Sequence, residues 1–136
     1  MLAKILIFGN SGSGKSTLAK RLCETQGLAH LDLDTLAWKP TSPPERKPIK
    51  ESDQEIQAFT ASNETWVIEG CYTDLLKLVE GQSSEIIFMN LPMLIDWIAQ
   101  YTKRDDTFSY TAHKQFYENY SGSKRMVTQN TSDLKA

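Results

Sequence analysis

The sequence predicts an α/β domain of three layers, in which helices flank a five-stranded, mostly parallel sheet. Three observations carry this expectation. Four short runs are apolar almost without interruption, the mark of strands covered on both faces. Segments with apolar residues at helical spacing stand between those runs. The length, 136 residues, fits one compact domain over 1–136 with a core that needs no staples.

The elements follow in order. Lys4 to Phe8 (KILIF) reads as the first strand, and Ser16 to Thr25 as a helix with Leu18, Ala19 and Leu22 on one face. Leu28 to Leu33 (LAHLDL) is the second strand. The stretch Lys39 to Lys50 (KPTSPPERKPIK) holds four prolines, which rules out a long helix or a central strand and predicts a surface excursion. Ser52 and Glu55 form a capping-box signature ahead of a helix whose buried stripe is Ile56 and Phe59. Thr65 to Glu69 (TWVIE) is the third strand, and Tyr72 to Glu80 a helix stopped by Gly81. Glu85 to Asn90 (EIIFMN) is the fourth strand. Pro92 opens a helix running to about Tyr101, at a position where a missing N–H costs little. Ala112 to Tyr120 is a further helix and Lys124 to Gln129 a weaker fifth strand, ahead of a polar tail from Thr131 to Ala136.

Composition excludes several classes. With 40% apolar and 24% charged residues the chain is ordinary globular material. A net charge of -2 argues against a bulk electrostatic grip on nucleic acid. Cys23 and Cys71 suit free thiols in a reducing compartment. The apolar stretch Ile5 to Phe8 is too short for a signal peptide, and no run approaches the ~20 apolar residues of a membrane span. The expectation is a cytoplasmic protein with no membrane partner and an oligomeric state the sequence leaves open.

The chemistry begins where the first strand ends. Gly9, Asn10, Ser11, Gly12, Ser13, Gly14, Lys15 and Ser16 fit the pattern G-x-x-x-x-G-K-[ST] without departure, and Thr17 follows. Glycines there surrender entropy and bury nothing, so an anion must compensate them. They let successive N–H groups curl inward, and the following helix adds unpaired N–H groups and a positive dipole end. Lys15 would reach the terminal phosphates and the Ser16 hydroxyl would hold Mg²⁺. Motif and element order together predict the P-loop nucleoside triphosphate hydrolase fold, with ATP and Mg²⁺ as cofactors. Beyond the second strand, Asp32 and Asp34 stand at i and i+2, on one side of a strand end at the ligand edge of the sheet. There Asp32 would serve the metal and Asp34 would contact a phosphate acceptor.

At this point the chain resembles the small-molecule kinases of the shikimate kinase and adenylate kinase group. The phrase HLDLDTLAWKP, followed after the Pro-rich stretch by WVIEGCY, resembles bacterial topology modulation proteins or adenylate kinase-related kinases, a likeness over residues 1 to about 105. The resemblance implies that Gly12 to Thr17 cradle ATP, that Asp32 sits near magnesium, and that Asp34 orients an acceptor hydroxyl. It implies that Glu69 and Gly70 are the acid-glycine pair after the third strand, with Gly70 letting substrate approach the backbone. It also implies an acceptor-binding excursion over 35–63 and a short lid over about 101–111 carrying a catalytic Arg104. The usual strand-ending Asp of such proteins is missing; Glu69 is the nearest substitute. The chain has only four arginines, Arg21, Arg46, Arg104 and Arg125, where a clamp on a nucleoside monophosphate usually wants several.

The catalytic set expected is therefore Lys15, Asp34 and Arg104, with Asp34, Trp38, Glu69 and Gly70 facing the acceptor and Ser16 and Asp32 on the metal. Trp38 either stacks on an acceptor ring or anchors its loop. His30 reads as a packed or hydrogen-bonded strand residue, His113 as an exposed helix residue, and Trp66 and Trp97 as core. Lys39, Arg46, Lys47 and Lys50 make the excursion locally basic. The function expected is transfer of the γ-phosphoryl of Mg-ATP to a nucleotide or small hydroxylated metabolite. The alternative is a non-catalytic, ATP-binding regulatory P-loop protein.

Overall fold

Every apolar run becomes a strand, and all five strands join one sheet. The computed structural model of the chain describes residues 3–9, 15–43, 45–89 and 110–127. The strands are β1 (Lys4–Gly9), β2 (Ala29–Asp32), β3 (Trp66–Gly70), β4 (Glu85–Met89) and β5 (Ser123–Val127). Their order is β2-β3-β1-β4-β5 and each pairing is parallel, so the sheet is parallel throughout. The helices among the described residues are α1 (Lys15–Gln26), α2 (Ile49–Ser62), α3 (Thr73–Val79) and α4 (Tyr110–Asn119). The loop residues 10–14, the segment opened by Pro92, Arg104 with most of the expected lid, and the tail lie outside the described residues.

Central β1 shows why parallel strands read as unbroken apolar runs. Its Leu6 and Phe8 face a core shared with Ile56 of α2, Leu75 and Leu76 of α3 and Phe116 of α4. Its Ile5 and Ile7 face the other way, onto Leu18, Ala19 and Leu22 of α1. Phe8 stacks on Phe88 with ring centroids 5.1 Å apart and meets Phe116 edge-on at 5.0 Å. Burying such a ring stabilises the fold by roughly 2–3 kcal/mol. At the sheet edge β5 is mostly exposed, which explains why its run was the weakest of the five.

Several boundaries differ from the expectation for local reasons. α1 reaches Gln26 because Gly27, at φ 69, closes it with a 2.9 Å bond from its N–H to the Cys23 carbonyl. α2 starts at Ile49, not at Ser52: Pro48 precedes it, and Ser52 is buried inside the helix with its hydroxyl on the Leu36 carbonyl at 3.2 Å. The supposed capping residue thus ties α2 to the turn after β2. His113 is also corrected. It is fully buried on the face of α4 that carries Phe116, with its ring 5.9 Å from that of Phe8 and 6.1 Å from that of Phe88, and its Nε2 bonds the Cys71 carbonyl at 2.9 Å. A backbone partner makes burial of the imidazole tolerable.

Candidate functional site

The parallel register sets the site. Asp32 of β2 lies beside Glu69 of β3, and Glu69 beside Ile7 of β1. Paired residues share a face, so Glu69 points toward α1, where Ile7 packs. Ser16, in the first turn of α1, donates its hydroxyl to Glu69 Oε2 at 2.6 Å. His30 Nε2 meets the same oxygen at 2.9 Å. Glu69 is only 2% exposed, a carboxylate held among donors at the C-terminal end of the sheet.

Lys15 opens α1 beside this pair and is itself only 8% exposed. Burial pushes its pKa down from 10.5, against the opposing pull of Cys71, Glu69, Asp34 and Asp32. An ammonium at the start of a helix, where unpaired backbone N–H groups and the helix dipole also favour negative charge, is the chemistry that a phosphate would require. The preceding strand ends in Gly9 at φ 143, where an added Cβ would stand 2.5 Å from the Met89 carbonyl oxygen. Only glycine fits that exit from β1. Residues 10–14, between Gly9 and Lys15, complete the motif outside the described residues.

The two aspartates are not related by strand spacing as expected. β2 stops at Asp32, whose Oδ1 accepts the Asp34 N–H at 2.9 Å and caps a 3-10 turn over Leu33–Thr35. Leu33 turns inward and is fully buried, and Asp34 is left exposed beyond the strand end. The turn rests on Gly70, where a Cβ would come within 2.9 Å of the Leu33 Cβ. What approaches the backbone at Gly70 is therefore a side chain of the chain itself.

Asp34 belongs to a second cluster. Tyr72 donates its hydroxyl to Asp34 Oδ1, and Trp38 Nε1 donates to the Tyr72 oxygen at 2.8 Å. Burial first, and the bond to Asp34 next, push the Tyr72 phenol well above its ordinary pKa of 10, so it remains a donor at neutral pH. Arg46 lies over the Tyr72 ring at 4.9 Å and the Trp38 ring at 5.8 Å, and its Nη2 reaches Asp74 at 3.1 Å. Backbone bonds from Lys39 to Glu45 (2.7 Å) and Lys47 to Ala37 (2.9 Å) fold the Pro-rich excursion back on itself. Trp38 is thus anchored by its nitrogen while the residue stays 36% exposed, beside an open cleft of about 520 Å³ that it lines with Lys39, Pro40 and Thr41.

Of the expected site residues, Lys15, Ser16, Asp32 and Glu69 gather at the strand ends, and Asp34 and Trp38 meet through Tyr72. Two partners were not foreseen. Tyr72 read only as the start of a helix, and nothing local in E-G-C-Y marks its hydroxyl as a bridge. His30 read as a bonded strand residue, but its partner could be named only from the β2–β3 register.

The fold, a parallel five-stranded sheet flanked by helices, is the fold of P-loop small-molecule kinases. The sequence matches the AAA domain family over residues 5–119, and the chain belongs to that family. No curated protein matches it in sequence. Among solved structures it is similar to an unliganded sugar kinase from Janibacter sp. HTCC2649, at 14% identity and TM-score 0.55 over 94% of this chain and 86% of that one. It is similar to a gluconokinase from Sinorhizobium meliloti 1021, at 17% identity and TM-score 0.55, covering 94% and 82%. A shikimate kinase from Aquifex aeolicus vf5 aligns at 13% identity and TM-score 0.52 over 91% and 85%. Among the described residues, no helix is long and apolar enough to cross a membrane.

Proposed function

We propose that the chain is an ATP-dependent phosphotransferase that moves the γ-phosphoryl group of Mg-ATP to a small-molecule acceptor. The observation that carries this reading is the 2.6 Å bond from Ser16 to the buried Glu69, next to a desolvated Lys15. We take this acid, one strand away and bonded to the hydroxyl of the motif Ser, as the substitute for the missing strand-ending Asp. The same class of fold serves the sugar kinase, gluconokinase and shikimate kinase it resembles. Within its family we assign it to the topology modulation or adenylate kinase-related group, on its HLDLDTLAWKP and WVIEGCY phrases.

The residues fit Mg-ATP. Mg²⁺ takes one or two protein oxygens plus phosphates and waters, and Ser16, Asp32 and Glu69 offer only hard oxygen donors. When bound, the ion would neutralise charge developing on the transferred group. Gly9 through Thr17 would cradle the phosphates, and Lys15 would meet their terminal oxygens. Asp34 is the best base, since its carboxylate is held from one side by Tyr72 and is exposed on the other. Residues 35–63 would carry the acceptor, and Arg104, in a lid over about 101–111, would add positive charge in the transition state. We read the whole as one domain over 1–136 acting in the cytoplasm.

The test is direct. The protein is incubated with Mg-ATP and with nucleosides, nucleoside monophosphates, sugars and hydroxy acids in turn. ADP release that rises with one acceptor supports the enzyme. Tight ATP binding, seen as a thermal shift, with no acceptor-dependent release supports the non-catalytic regulator instead.

A further inference from the structure

Resting on that kinase reading, we propose that His30 is a positioning residue for the cation of Mg-ATP. Through its bond to Glu69 it fixes the carboxylate that holds the Ser16 hydroxyl, and so lets a glutamate serve where such proteins usually end a strand in the shorter Asp. Three observations carry it.

The first is convergence on one atom. Glu69 Oε2 accepts the Ser16 hydroxyl at 2.6 Å and faces His30 Nε2 at 2.9 Å. A carboxylate only accepts, so Nε2 carries the hydrogen and donates it. The second is where the imidazole stands. His30 pairs with Val67 and Asp32 with Glu69, and residues two apart on a strand share a face, so His30 lies on the face of β2 that meets Glu69. The residue belongs to neither apolar core cluster, and its side chain is 24% exposed where that of Glu69 is 3% exposed. The histidine is therefore spent on the bond and not on packing. The third is what the bond leaves over. Among the described residues no hydrogen bond reaches Glu69 Oε1, and the Asp32 carboxylate uses Oδ1 alone, on the Asp34 N–H.

A glutamate has one more rotatable bond than an aspartate, so ordering it costs more entropy and takes more partners. Ser16 alone does not decide its place, because Lys15 also attracts Glu69, an attraction that raises the Lys15 pKa against the effect of burial. His30 adds a second donor from the β2 side and keeps the carboxylate on Ser16. With its hydrogen committed to Glu69, the Ser16 hydroxyl has its lone pairs left for a cation. Losing a partner that orients a metal ligand in this way commonly weakens metal binding by about 10–100-fold. His30 acts through Glu69 and is not itself a catalytic residue.

The experiment is thermal melting of the full chain with ATP in EDTA, and with ATP and rising MgCl₂, so that no turnover is needed. The parent is compared with His30→Leu, with His30→Asn, whose amide stands near the place of Nδ1, and with His30→Gln, whose longer amide reaches that of Nε2. In His30→Leu and His30→Asn the Mg²⁺ concentration giving half of the metal-dependent shift should rise about tenfold, while the shift from ATP in EDTA stays as in the parent. His30→Gln should restore most of the parent's Mg²⁺ response. In a Glu69→Gln background, His30→Leu should change nothing further, because the two act as one unit. Where His30→Leu does not fold, His30→Asn gives the same comparison. An unchanged Mg²⁺ requirement in both, or a loss equal with and without metal, overturns this inference and leaves the kinase reading standing. A His30→Gln protein that behaves like His30→Leu overturns the role given to Nε2. A parent that shows no shift with Mg-ATP overturns both readings.

Discussion

The two halves of the site are built on opposite plans. The half proposed to hold phosphate, Lys15, Ser16, His30 and Glu69, hangs from strand ends and the first turn of α1, with Lys15 and Glu69 almost fully buried. The half proposed to face the acceptor, Asp34, Trp38, Tyr72 and Arg46, is assembled from a turn, a Pro-rich excursion and the residue before α3, and leaves Asp34 and Trp38 in solvent. What differs is who fixes the geometry. Sheet register fixes the first, and a chain of side-chain bonds fixes the second. Register does not change without unfolding, whereas a side-chain chain can be retuned one residue at a time. A fold can therefore keep its phosphate end and change its acceptor.

That contrast is broken most severely at its two charged centres. Lys15→Met should abolish the thermal shift given by Mg-ATP and lower turnover by about 10²–10³ or more, as for loss of a principal transition-state contact. The ligand-free protein should not melt lower, because a desolvated cation has been replaced by an apolar chain. Asp34→Asn should lower transfer by about 10²–10⁴ while ATP still binds, since only a proton acceptor is lost. If Asp34→Asn instead weakens ATP and spares the rate, Asp34 belongs to the phosphate side and the division is wrong.

Glycines sharpen the contrast further. Gly70→Ala would press a Cβ onto Leu33 at 2.9 Å, at the foot of the turn that carries Asp34. It should cost about 1–3 kcal/mol by overpacking and raise the acceptor KM more than the ATP KM. Gly81→Ala is the control, with nothing within 4 Å of the added carbon and no expected loss of activity. Equal effects of Gly70→Ala on both KM values would show that the turn serves the two halves alike.

The same division explains what the sequence made legible. KILIF, TWVIE and EIIFMN predict their strands because a parallel sheet between helices needs apolar side chains on both faces, and that need is written locally. G-x-x-x-x-G-K-S is legible because backbone, lysine and hydroxyl all come from one short segment. The bond from Ser16 to Glu69 spans 53 positions and the one from Tyr72 to Asp34 spans 38. Neither leaves a local trace. Ser52, expected as a helix cap, and His113, expected on an exposed face, differ for the same reason: each is buried with its side chain bonded to a carbonyl distant in sequence, Leu36 or Cys71.

The smallest expected effect concerns protons on the phosphate side. Folding lowers the Lys15 pKa below its value of 10.5 in the unfolded chain, chiefly through burial. Between the lowered value and 10.5 the unfolded chain holds more protons than the native one, so the Lys15 contribution to stability rises with pH through that window. Below the window both states are charged and the cost of burying the cation is constant. Lys15→Met should therefore melt higher than the parent at neutral pH, with the gap narrowing as the pH climbs toward 10.5. The relevant comparison is ligand-free melting of both proteins from pH 7 to pH 10, below the range in which the raised phenol of Tyr72 adds a change of opposite sign. Adding Mg-ATP should flatten the parent's slope, because a phosphate beside Lys15 favours its charged form and moves its pKa back toward the ordinary value. A gap that stays constant with pH would mean that burial does not lower the Lys15 pKa in the folded chain.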